Sequence, residues 1–213
     1  MSASFKIAFN LTMKNEGGYS NLSTDKGGET YRGISRVSNP GWKGWMIIDG
    51  IKAKRNIKHG EIINDKHLNE LTESYYYINY WMPNKLNLMK NQDFANFAFD
   101  TIVLHGQGAK IINRAVNTTP GTKKQPEINR ITSDTLHEIN NSPAKIYPYM
   151  VQERKQYIKS LPDYNTNGGG WMERLKIYPE KIKDNIMKGL FPFLFFFVAL
   201  FLLSKILSKS KSN

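Results

Sequence analysis

The sequence predicts a mainly helical α+β domain, helices with one small β-hairpin, followed by a C-terminal transmembrane helix. Three observations predict it. Apolar residues recur at steps of three and four through several segments, the period of a helix with one buried face. Glycine, serine, asparagine, threonine and aspartate crowd into one stretch, NEGGYSNLSTDKGGETYRGIS at 15–35, where turns and a short hairpin replace the helical pattern. Residues 189–204, GLFPFLFFFVALFLLS, carry no charge and lie between Lys188 and Lys205.

Along the chain, residues 5–16 read as the first helix, with Phe5, Ala8, Phe9, Thr12, Met13 and Glu16 on one face. Gly17 and Gly18 stop it. The hairpin follows, and Gly27, Gly28 and Gly33 let its backbone turn tightly. NPGW at 39–42 is a turn. A mixed helical region runs through Leu68, Leu71, Tyr75 and Ile78 to the cluster YYYINYW at 75–81, which Pro83 ends. FANFAFDTIVL at 94–104 is the central buried helix, with Asp100 its one charge. Gly106 and Gly108 break it, and 108–117 continues as an amphipathic helix. Residues 118–133 form a surface loop, and helices follow near 134–140 and 143–160. LPDYNTNGGGW at 161–171 is a flexible loop that returns through Trp171 to a short helix. No internal repeat is present.

As a helix, 189–204 would span about 24 Å at 1.5 Å per residue. That is a little short of a hydrocarbon core of about 30 Å, which lysine stems at both ends can make up by snorkelling. A core helix would normally show a polar stripe, and this segment has none; a buried hairpin or an oligomer helix is the alternative. Residues 205–213 are a basic, polar tail. The chain opens without the basic start and sustained apolar run of a secretory leader.

Composition narrows the chemistry. Cysteine is absent, which removes disulfides, thiolate metal sites and cysteine nucleophiles. His59, His67, His105 and His137 form neither H-x-H nor H-E-x-x-H, and no G-x-S-x-G or phosphate-binding loop occurs. No metal or cofactor is expected. The formal charge of +12 favours a polyanion, but the aromatics do not interleave with a basic run as in a nucleic-acid module, so no nucleic-acid partner is expected. A basic surface with no special partner is the plainer reading.

The chemistry is concentrated at 16–35. Glu16, in the centre of an apolar stripe at a helix C-terminus, is expected to resist ionisation because burial and the negative helix end both disfavour charge there. Asp25, in a polar loop, is expected to stay ionised. Two carboxyls in opposed environments are an acid/base pair, and Thr30 would help hold a water between them. The plainer alternative is a frayed helix end followed by an ordinary Asp-Lys-Gly-Gly turn.

The string EGGY at 16–19, with D-x-G-G-x-T-x-x-G-I-S from Asp25 to Ser35, resembles the N-acetylmuramidases of glycoside hydrolase family 108. The order and spacing of Glu, Asp and Thr are also similar to the lysozymes of tailed phages. Tyr80–Trp81, FDTIVLHGQGA at 99–109 and GGWMERL at 169–175 look like the second half of that family, a predicted peptidoglycan-binding region. The resemblance implies a lysozyme-like fold that cleaves the β-1,4 bond after N-acetylmuramic acid. By position it makes Glu16 the general acid, with Asp25 and Thr30 positioning water. Tyr19, Gly28, Tyr31 and Trp81 are the candidate substrate contacts, with Trp81 and Trp171 expected to pack under the cleft. Five aromatics in seven residues at 75–81 cannot all face one way, so some are core. Two positions depart from the family pattern: Arg32 stands in place of an aromatic residue, and His105 in place of an asparagine. His105 reads as a packed or capping residue at a helix end, and Asp100 as a buried carboxylate paired with Arg114 or another cation.

On this reading 1–92 is the catalytic region and 93–180 a helical region completing the domain. A basic juxtamembrane segment at 181–188, the membrane helix at 189–204 and the tail at 205–213 follow. The expected partners are peptidoglycan, a lipid bilayer through 189–204, and virion or lysis-complex proteins. The expected location is the host inner membrane or the internal membrane of a phage particle. Two rivals stand beside it: a lytic transglycosylase using Glu16 alone, and a non-catalytic wall-binding or assembly protein.

Overall fold

The helix α1 (Phe5–Thr12) begins where Gln92 captures the chain: its Oε1 accepts from the Ser4 amide at 2.6 Å and its Nε2 donates to the Ser4 carbonyl at 3.0 Å. These bonds lay α1 along the central helix α4 (Gln92–Leu104), whose residues from Phe94 to Ile102 are all buried. Asn91 caps α4, its side chain accepting from the Phe94 amide at 2.9 Å, which satisfies one of the free donors at the helix start. Phe5 of α1, Trp81 and Phe99 of α4 meet edge to face at 5.5–5.7 Å, a geometry aromatic pairs prefer.

The structure is a computed structural model and describes residues 2–22 and 28–184. Asp25 and Gly27, positions 185–188 of the basic segment, the apolar segment 189–204 and the tail 205–213 lie outside the described residues. Among the described residues no helix is long and apolar enough to cross a membrane. Residues up to Lys183 form one unit by their contacts.

Between α1 and α4 lie a small sheet and two helices, α2 (Gly44–Lys52) and α3 (Lys66–Tyr76). Asp65 caps α3 through the Leu68 amide, and a π-helical turn (Tyr77–Trp81) widens its end. The sheet has three antiparallel strands, β1 (Tyr19–Ser20), β2 (Thr30–Tyr31) and β3 (Ile34–Ser35), in that order, rather than the single hairpin expected. Tyr19 faces Tyr31, Tyr31 faces Ile34, and Thr30 lies between Ser20 and Ser35. Arg32 and Gly33 join β2 to β3 with φ of 46° and 79°, the paired positive φ that a two-residue hairpin turn of the primed kind demands. Strands this short are marginal alone. They are anchored at Gly18 and Tyr19: the Tyr19 amide donates to Glu61 O at 2.9 Å and its carbonyl accepts from Gly60 N at 2.7 Å. A Cβ on Gly18 would sit 2.2 Å from the Glu61 oxygen, so no other residue fits.

After α4 come α5 (Gly108–Thr118), α6 (Ser133–Asn141), α7 (Pro143–Lys159) and α8 (Tyr164–Leu175). At Gly108 a Cβ would lie 2.4 Å from the Ile102 Cα, so glycine lets α5 start tight against α4. The loop between α5 and α6 is pinned by Asn113, whose amide donates to the carbonyls of Ile128 and Arg130.

Two expectations are corrected. The first helix ends at Thr12, so Glu16 lies beyond it; 3₁₀-type bonds from Lys14 to Leu11 and Asn15 to Thr12 unwind the chain before the glycines. Residues 164–171 are helical, not a loop. Each glycine of Asn-Gly-Gly-Gly weakens a helix by about 1 kcal/mol against alanine, but tertiary contacts of the same helix outweigh propensity. Leu175 and Arg174 are buried, and Trp171 and Met172 pack on the core.

Candidate active site

Glu16 stands where the β2–β3 turn meets α8. Its side chain is 16% exposed, and its Oε1 accepts from Arg174 Nη1 at 2.8 Å. On the sheet side the fit is close: a Cβ on Gly33 would lie 2.8 Å from Glu16 Oε2 and 2.7 Å from the Tyr76 hydroxyl. That hydroxyl donates to the Arg32 carbonyl at 2.6 Å, tying the turn to the end of α3. A cleft of about 490 Å³ opens beside the carboxyl, lined by Asn15, Glu16, Leu104, Gly170, Trp171, Glu173 and Arg174.

The surroundings of Glu16 correct the expected apolar pocket: its neighbour is a guanidinium. Arg174 is itself held by Asp100, whose Oδ1 takes Nη2 at 2.6 Å and Nε at 2.9 Å. Asp100 Oδ2 accepts from Arg154 Nη2 at 2.6 Å, and Arg154 donates on to Thr101 Oγ1 and His105 Nε2. Asp100 and Arg154 have no exposed side-chain surface. Burial alone would raise the Asp100 carboxyl, but Arg154 and Arg174 outweigh it and hold the group below its ordinary range. Burial, with the charge of Arg154, pushes the His105 imidazole down to about 3. The structure thus joins Glu16, Arg174, Asp100, Arg154 and His105 in one chain of contacts. Asp100 is the buried, cation-paired carboxylate expected, and its cations are Arg154 and Arg174 rather than Arg114, which meets Glu127 at the surface, 3.0 Å away.

Thr30, on β2, shares the small sheet with the Gly33 turn, and no hydrogen bond joins it to Glu16 among the described residues. Gly28 has φ of 64°, with Val37 Cγ2 3.0 Å from where a Cβ would be. Tyr19, Tyr31 and Trp81 are 5%, 0% and 1% exposed, so their rings offer no stacking face to a sugar. They fill the core, where Tyr31 packs near Trp42 and Trp81 against Phe99. Tyr19 instead donates its hydroxyl to Glu29 at 2.7 Å. Trp171 lines the cleft and is half-buried. Arg174 was not legible as a site residue: it reaches Glu16 across 158 positions, a separation that no local pattern encodes. Its one hint was a single buried acid, Asp100, in need of a cation. Among the described residues no group of three or more His, Asp or Glu gathers to hold a metal ion.

Residues 9–106 match the family model of glycosyl hydrolase 108, a span that holds Glu16, Asp25, Thr30 and the three strands. That match defines the class: the protein is a glycoside hydrolase. Within the class it is of the N-acetylmuramidase type. In three dimensions the chain is similar to the structure of Brucella abortus SagA, with a TM-score of 0.54 and 20% identity, over 81% of this chain and 89% of that one. This second likeness shows a shared fold and extends past the span matched by the family model. Among curated proteins, none matches the sequence.

Proposed function

We propose that the protein hydrolyses peptidoglycan at the β-1,4 bond between N-acetylmuramic acid and N-acetylglucosamine. The observation that carries this reading is Glu16, a carboxyl fixed in an open cleft by Arg174 on one side and the glycine turn on the other. Glu16 donates a proton to the departing glycosidic oxygen. A water, positioned by Asp25 and Thr30, attacks the anomeric carbon and gives its proton to Asp25. The products are a reducing N-acetylmuramic acid end and a free 4-hydroxyl on the next sugar. With a water between the two carboxyls the reaction inverts the anomeric centre, which needs a separation of about 6.5–9.5 Å. The net charge of +12 suits an anionic wall.

Residues 189–204 anchor the enzyme in a bilayer, either at a host inner membrane during lysis or in a phage particle with an internal membrane. Recovery of the chain in the soluble fraction after alkaline extraction of membranes would sink the anchor. Absence from purified particles of its source virus would sink the particle.

The deciding experiment is mass spectrometry of sugars released from purified peptidoglycan by the full chain, alongside Glu16→Gln and Asp25→Asn. The expected result is reducing N-acetylmuramic ends from the wild type, reduced by about 10²–10⁴-fold in Glu16→Gln and strongly in Asp25→Asn. Anhydro-muramic ends that survive Asp25→Asn would instead assign a transglycosylase. No release from a folded sample would leave a binding protein.

A further inference from the structure

A second pocket, of about 290 Å³, opens where the end of α4 and the start of α5 meet the segments around 79–84 and 129–130. Two links run from it towards the Glu16 cleft. Leu104 lines the cleft and the next residue, His105, lines the pocket. Tyr80, also in its wall, stacks on Tyr76 at 5.4 Å, and the Tyr76 hydroxyl stands beside Glu16 at Gly33.

The polar groups of this pocket are held in place by the fold. A guanidinium can only donate, so the bond from Arg154 Nε to His105 Nε2 at 3.3 Å leaves the imidazole proton on Nδ1. Burial and Arg154 keep the ring neutral down to about pH 3, so this tautomer persists at working pH. His105 is 4% exposed and lines the pocket; its Nδ1–H takes no acceptor among the described residues and is not among the atoms shut away from solvent. Asn84 and Asn129 each give one amide N–H to a carbonyl, of Tyr80 and Gly106, at 2.9 and 2.6 Å, which fixes each amide with its oxygen able to accept. Arg130 is exposed and has no carboxylate partner among the described residues.

A fixed N–H donor, two amide acceptors, a tyrosine ring and a single cation match an N-acetylated sugar that carries a carboxylate. The acetamide carbonyl accepts from His105, sugar hydroxyls donate to the asparagines, the apolar sugar face meets Tyr80, and the carboxylate meets Arg130. We propose that this pocket is a glycan subsite selecting muramyl over plain N-acetylglucosaminyl units, with Arg130 reading the lactyl or stem-peptide carboxylate. The inference rests on the peptidoglycan reading above.

The test uses the full Glu16→Gln chain in detergent micelles, with ¹⁵N-labelled histidine, so that ligand is not consumed. The chain has four histidines, and His105→Gln assigns the signal. Titration uses a (GlcNAc-MurNAc)₂ tetrasaccharide and, separately, tetra-N-acetylchitotetraose. Both ligands should shift the His105 Nδ1–H signal. Arg130→Ala should weaken the muramyl ligand about tenfold, the range of a hydrogen bond to a charged group, and leave chitotetraose unchanged. A His105 signal unmoved by either ligand, or an equal loss for both in Arg130→Ala, overturns the subsite. Wild-type release of sugar ends, measured in parallel, keeps the two readings apart. Release with an unmoved His105 sinks the pocket alone; absent release sinks the hydrolase, and the His105 shift still decides the pocket.

Discussion

The two walls that hold Glu16 are built on opposite principles. The sheet wall is fastened by ion pairs open to water. Glu29 accepts from Arg36 and Lys52, and Arg36 reaches on to Asp49, with Arg36, Asp49 and Lys52 each 33–48% exposed. The helical wall is fastened by Asp100 and Arg154, wholly out of water, with Arg174 at their edge. Exposed pairs contribute about 0–1 kcal/mol each. A buried pair adds little net stability, yet losing one partner strands the other in a low-dielectric interior. The sheet wall therefore degrades by degrees, and the helical wall fails at once. Shape does on the first wall what charge does on the second: Gly33 fits the acid, and Arg174 holds it.

The sharpest way to break this contrast is Asp100→Ala. It leaves the buried Arg154 without a carboxylate and Arg174 with Glu16 alone, and should cost about 3–5 kcal/mol. At about 2–4 °C per kcal/mol for a domain of this size, calorimetry should show a fall of about 6–20 °C. A smaller drop would mean that water enters the cluster and that the walls are not so different.

Acid should separate the walls next. The His105 value falls from 6.5 to about 3 on folding. The unfolded chain then binds the extra proton first, and stability declines as pH falls from about 6.5 towards 3. Asp100 is depressed as well, so its contribution is present above the ordinary carboxylate range and lost only further down, towards its folded value. Urea midpoints measured across this range should slope downward with acid. His105→Gln should flatten the upper part of the slope; an unchanged slope would remove His105 as its source.

Gly33→Ala tests shape on the sheet wall. A φ of 79° costs about 1–2 kcal/mol for a residue with a Cβ, and the new methyl must push away Glu16 or Tyr76. A shift of about 1 Å in a reacting group can cost about 100-fold in rate, so activity should fall far more than melting temperature. The least effect belongs to Arg36→Ala, about 0.2–1 kcal/mol and smaller still in high salt. A larger, salt-independent loss would show that the exposed network has been underrated.

How much of this was legible depends on how far apart the partners sit in sequence. The central helix declared itself in FANFAFDTIVL, because nearly every side chain is apolar and no turn residue interrupts. The turn-rich β stretch after Glu16 was legible for the same local reason, although the helix stops at Thr12 rather than at the glycines and the sheet has three strands. Helix α8 was not, since Asn-Gly-Gly-Gly argues against a helix that only Arg174, Leu175 and Trp171 justify, through contacts elsewhere in the fold. Tyr31 and Trp81 misled because an aromatic ring looks the same in sequence whether it stacks on a sugar or fills a core. The apolar face expected around Glu16 assumed that the helix continued four residues beyond Thr12.

The contact from Glu16 to Arg174 also sets a timetable. Residue 16 leaves the ribosome 158 residues ahead of its partner, a delay of about 8–30 s at about 5–20 residues per second. Through that interval the growing chain holds an acid without the hand that steadies it. The cleft is assembled from residue 16 and from α8, so a chain interrupted before α8 lacks the guanidinium that holds its acid.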